Sequence, residues 1–136
     1  MTVTSLYPVL MSKDVATAAA FYRETFGFET TFETDWYISL RLGAFELAIL
    51  SFDHETVPES HRSLPRGVIV NIEVDDVDEV YRHLTETAGL TPVLALRDED
   101  FGQRHCIVEA PDGVLLDVIQ PIPPSEAFAR AYSTDS

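Results

Sequence analysis

Hydrophobic and polar positions alternate at two periods along this chain, in an order that occurs twice. Residues 9–11 form a short apolar run, as a strand requires. Val15, Ala18, Ala19, Tyr22 and Phe26 then recur at i, i+3, i+4, i+7 and i+11, the spacing of one buried helical stripe. Asp14 precedes the stripe as an N-cap, and Gly27 follows it where a left-handed residue is wanted. Segments 29–34, 36–42 and 45–52 read as three strands.

The same order returns downstream. Residues 68–74 read as a strand and Asp76 as a cap. Val77, Val80, Tyr81, Leu84 and Ala88 form the stripe, and Gly89 follows it. Segments 91–96, 104–109 and 114–120 read as strands, the last two joined at Pro111-Asp112-Gly113, where proline presets φ and glycine supplies a positive φ. The copies register at an offset of 62 residues: Asp14-Val15 on Asp76-Val77, Thr25 on Thr87, Gly27 on Gly89. Each copy is therefore a βαβββ unit. The expected organisation is one domain over 1–136, with modules at 5–52 and 67–122, a linker loop at 53–66 and a tail at 123–136 that leaves the sheet. A short helix is expected around 126–132.

Composition narrows the class. With 46% apolar residues the chain can bury a core, yet no run approaches the roughly 20 apolar residues of a membrane span. Cys106 is the only cysteine, which excludes an intramolecular disulfide and points to a buried thiol. Together with the lack of a signal-peptide pattern, this sets the expectation of a cytoplasmic protein. The net charge of −14 disfavours nucleic acid and anionic membranes as partners and favours cationic ligands.

The chain resembles the vicinal oxygen chelate superfamily of glyoxalase I, extradiol dioxygenases and bleomycin resistance proteins. The residues that carry the resemblance are Val9-Leu10-Met11-Ser12-Lys13-Asp14, Phe21-Tyr22 and Phe26-Gly27-Phe28 at the start. Toward the end they are Gly102-Gln103-Arg104 and Ala110-Pro111-Asp112-Gly113-Val114-Leu115-Leu116-Asp117. The resemblance implies an α+β fold of two tandem βαβββ modules, with curved mixed sheets around a ligand cleft. It also implies a homodimer and, in the family's enzymes, a divalent metal held by residues at the opening and closing strands of each unit. Those positions map onto Tyr7, Glu46, Ile69 and Asp117. Ile69 offers no donor, Tyr7 is a poor ligand near neutral pH, and two carboxylates alone make a weak site. The metal set is expected to be degenerate, with no cofactor.

Strand alternation assigns the cleft wall to Tyr7, Val9, Met11, Glu46 and Ala48 in the first module. In the second it assigns Ile69, Asn71, Glu73, His105, Ile107, Asp117 and Ile119. Trp36 is expected in the cleft wall as a surface for planar ligands. Glu46, Glu73 and Asp117 would seek a cation, or His105 would pair with one of them. The favoured reading is a metal-free binding protein that sequesters a planar or cationic compound such as an antibiotic. The alternative is a metal-dependent lyase, isomerase or dioxygenase with Glu46 and Asp117 as ligands. A metal-free enzyme with His105 or Glu73 as general base, and a dimeric interaction module, are the remaining readings.

Overall fold

The computed structural model describes residues 1–132. The chain forms two compact units. Of these, one comprises residues 1–68 with 110–114, the other residues 69–109 with 115–132. Each is built around one four-stranded mixed sheet, as the duplicated pattern predicts.

In the first unit, β1 (Val9–Ser12), α1 (Val15–Phe26), β2 (Glu29–Glu33), β3 (Tyr37–Leu42) and β4 (Phe45–Ser51) follow in sequence. The sheet order is β1-β4-β3-β2, with β1 parallel to β4 and the other pairs antiparallel. Asp14 caps α1 by accepting from the Thr17 amide at 3.1 Å, and Gly27 ends it at φ 79°. Val15, Ala18, Ala19 and Tyr22 bury the helix stripe, and the sheet contributes Leu10, Ile38, Leu40, Leu47 and Ile49 to the same core. The turn Pro111–Gly113 belongs to this unit. Its Asp112 adopts φ 67°, which aspartate tolerates, and its Oδ1 accepts from the Lys13 amide at 3.0 Å.

The second unit contains β5 (Ile69–Glu73), α2 (Val77–Arg82), β6 (Leu94–Glu99), β7 (Gln103–Glu109) and β8 (Leu115–Pro121), then α3 (Glu126–Ala129). The order is β5-β8-β7-β6, again with the first pair parallel. Asp76 accepts from the Glu79 amide at 3.1 Å and Gly89 has φ 69°, matching the first copy. A backbone bond from Phe28 N to Tyr22 O recurs as Leu90 N to Leu84 O at the same offset. The core holds Val77, Leu84, Cys106, Val108, Leu116 and Val118.

Most strand ends differ from the sequence reading by one residue, and some segments differ more. The second helix is not one regular helix to Ala88: beyond Arg82 it widens into a π-turn over His83–Thr87, and Ala88 is exposed. Strand β6 starts three residues later than expected, because Pro92 has no amide to donate and the register shifts between Leu94 and Arg97. The segment 53–66 contains a 3-10 turn at Glu59–His61 and buries Val57. β8 extends through Pro121, so the tail leaves the sheet one residue beyond the expected end, and its helix stops at Ala129. No helix among the described residues is long and apolar enough to cross a membrane.

Candidate functional site

In the second unit the two faces of the sheet carry different chemistry. Leu116 and Val118 with Cys106 and Val108 point toward α2, Gln120 Oε1 accepts from the Val77 amide at 3.0 Å, and Arg104 pairs with Asp78 of α2 at 2.8 Å. Alternation sends the remaining residues to the opposite face in two transverse rows. One row is Asn71, Asp117, Ile107 and Leu94; the other is Glu73, Ile119, His105 and Arg97.

His105 joins the rows. Its Nδ1 lies 2.7 Å from Asp117 Oδ1, and its Nε2 lies 2.8 Å from Glu99 Oε2. Arg97 Nε donates to the same Glu99 oxygen at 2.7 Å. His105 and Asp117 are 5% and 9% exposed, so this pair is largely out of water, while the Arg97 end of the network is solvated. Burial draws the imidazole's pKa down, but hydrogen bonds to Glu99 and Asp117 outweigh it, and the net direction is upward. Glu99 is held below the usual carboxylate range by its bonds to His105 and then Arg97. An imidazole with both nitrogens engaged by carboxylates is a poor general base, because neither nitrogen is free to accept a proton from a substrate.

In the first unit, Val9 and Met11 share the face away from α1 with Ala48, Leu50 and Tyr37. Glu46 lies opposite Arg41, which also reaches Glu29 at 3.4 Å, so a cation already stands beside this carboxylate in the sheet. Tyr7 precedes β1 and is 46% exposed. Trp36 immediately precedes β3. Tyr37 occupies the face away from α1, and the Trp36 ring is stacked on His54 with centroids 3.7 Å apart and planes 6° apart. The aromatic groups on that face include Tyr37, its neighbour Tyr7 and Phe32, which stands opposite Ser39 and meets the Tyr37 ring edge to face at 6.2 Å; burial pushes the Tyr37 hydroxyl's pKa up, against a hydrogen bond from Ser39.

These residues do not form the family's metal set. Ile69 is exposed and without a donor atom, and Asp117 is engaged by His105. Glu99 and Asp117 sit at opposite ring nitrogens of His105 and so cannot converge with it on one ion. Among the described residues no three His, Cys, Asp or Glu side chains are grouped to hold a metal.

The sequence reading paired His105 with a carboxylate but missed Glu99 and Arg97. Strict alternation carried on from Leu94 selects residues 96 and 98, and the register shift between Leu94 and Arg97 is what brings Arg97 and Glu99 to the face of His105.

Comparison with known proteins supplies the relationship. No curated protein matches. Among solved structures, a virulence protein from Salmonella typhimurium superposes with TM-score 0.73 at 22% identity, over 90% of this chain and all of that one. A lactoylglutathione lyase from Agrobacterium tumefaciens gives TM-score 0.70 at 19% identity, covering 88% and 95% of the two chains. A bleomycin resistance determinant encoded on the transposon Tn5 gives TM-score 0.66 at 25% identity, covering 88% and 98%. The family model described as Glyoxalase/Bleomycin resistance protein/Dioxygenase superfamily matches residues 5–118. With the duplicated βαβββ sheets in place, this match over most of the sequence establishes that the chain belongs to the glyoxalase/bleomycin resistance protein/dioxygenase superfamily.

Proposed function

We propose that this protein binds a small cationic organic compound, one with a planar part, without a metal ion. The observation that carries the reading is the engagement of Asp117 by His105 at 2.7 Å. A carboxylate at a position where the family's enzymes hold metal is instead committed to a protein cation, and its counterpart at the opening strand is Ile69. Removing both donors weakens any site for a divalent ion, since affinity follows ligand number and type.

Charge supports a cationic ligand. The chain carries a net charge of −14, and Glu73 is exposed on the face away from α2 beside Asn71 and Ile69. The exposed Ile69 side chain on the same strand gives a compound's hydrocarbon part something to bury. The Tn5 bleomycin resistance determinant among the similar structures supports sequestration of an antibiotic-like compound. The proposal includes a cytoplasmic homodimer, whose assembly light scattering of the purified protein reports.

Calorimetric titration with proflavine, a planar cation, tests the reading. Saturable binding in the presence of a chelator, weakened when Glu73 is changed to Gln, is the expected result. Binding that requires an added divalent ion contradicts it.

A further inference from the structure

The C-terminal segment closes a cavity at the end of the second sheet. Past β8 the chain folds back onto the β6–β7 turn. The Ile122 amide donates to Gly102 O at 2.9 Å and the Ser125 amide donates to Asp100 O at 2.8 Å. The Tyr132 hydroxyl donates to Phe101 O, and the Phe101 and Phe128 rings meet edge to face at 6.3 Å. Gly102 permits this approach. Its φ is 108°, and a Cβ there would stand 2.9 Å from Ile122 O and 3.1 Å from the Tyr132 hydroxyl.

Between this strap and the end of the sheet lies a cavity of about 320 Å³. Ile122, Pro124, Ala129 and Tyr132 give it a largely apolar wall, while Glu73 and Gln103 enter from the sheet. Glu73 lies opposite Ile119 and Gln103 opposite Pro121, so the two flank the end of β8. Within the described residues neither side chain has a protein hydrogen-bond partner or ion pair, whereas the Tyr132 hydroxyl is already taken. A carboxylate and an amide without partners, beside an apolar wall, match a ligand that is cationic at one point and hydrocarbon elsewhere.

We propose that this cavity is the subsite for the ligand's ammonium end: Glu73 pairs with the cation, Gln103 Oε1 accepts a second N–H, and the strap covers the attached hydrocarbon. The volume sits at the lower end for ligand sites and suits a substituted alkyl or benzyl ammonium rather than a whole antibiotic. This assignment rests on the small-cation reading and locates one part of it.

Titration of the full-length, amide-labelled protein with benzylamine, followed by NMR, tests it, with benzyl alcohol as the neutral control. Benzylamine should shift the amides of Glu73, Gly102, Gln103 and Ile122, and bind more tightly than the alcohol. Glu73→Gln should weaken benzylamine about tenfold, the size of one charged hydrogen bond, and leave the alcohol unchanged. Ala129→Phe, which fills the cavity without altering charge, should abolish both sets of shifts. Equal benzylamine affinity in wild type and Glu73→Gln, or shifts mapped to other residues while proflavine still binds, overturns the subsite and leaves the wider reading standing. Failure of both benzylamine and proflavine to bind overturns the two together.

Discussion

His105 Nδ1 meets Asp117 Oδ1 at 2.7 Å on a diagonal of the β7–β8 ladder, His105 standing directly opposite Ile119 and Asp117 opposite Ile107. The contact ties two strands through side chains, and Glu99 extends it to a third. Removing the ring strands a carboxylate that is 9% exposed. His105→Leu should therefore destabilise the fold by about 2–4 kcal/mol, near the range for breaking one side of a buried pair. Asp117→Asn, which keeps shape and hydrogen-bonding capacity, should cost less. Urea unfolding of the two variants measures the difference.

The same network sets a pH profile. His105 has a raised pKa in the fold, so its contribution is complete below 6.5, its ordinary value, and is lost as pH climbs through the raised value. Glu99 has a lowered pKa, so its contribution is present above 4.5 and is lost as pH falls through the lowered value. Stability from this network is greatest between these limits. The melting temperature of the wild type should fall as pH rises above 6.5, and His105→Gln should remove most of that slope. A slope unchanged by His105→Gln would contradict the charged pairing.

Tyr22 points to a different kind of change. Its hydroxyl is buried and has no hydrogen-bond partner among the described residues, and burial followed by the nearby Asp112 raises its pKa. The ring packs edge to face on Phe21 and Phe28. Tyr22→Phe keeps the ring and removes the unsatisfied group, so it should be neutral or stabilising by up to about 1 kcal/mol. Thermal unfolding of the variant checks this; a clear loss of stability would reveal a partner for that hydroxyl.

Cys106 should be inert in the native protein. It is fully buried, and desolvation followed by Asp117 pushes its thiol up to about 11. A thiol reagent at about pH 8 should label it only on unfolding. Rapid native labelling would show that the second core opens.

The fold was readable because its signals are local and duplicated. Asp14 and Asp76 announce helix starts, Gly27 and Gly89 announce ends, and two apolar stripes repeat at one offset. Residue alternation also sorted His105, Ile107, Asp117 and Ile119 onto one face. The site was less legible where backbone irregularity intervenes. The register shift in β6 hid Arg97 and Glu99, because strict alternation does not survive a bulge. The stacking of Trp36 was not legible, because it precedes β3 and its partner His54 comes from the segment after β4, a contact no spacing rule predicts. The strap from Ile122 to Tyr132 carries few sequence signals beyond its prolines, and its anchor at Gly102 is a steric fact of the folded chain.

The central claim is that the protein works without a metal ion. Elemental analysis of protein purified without chelator, in wild type and in Glu46→Gln and Asp117→Asn, tests it most directly. Far less than one divalent ion per chain is expected in all three. One equivalent of a divalent ion in the wild type, lost in both variants, would contradict it.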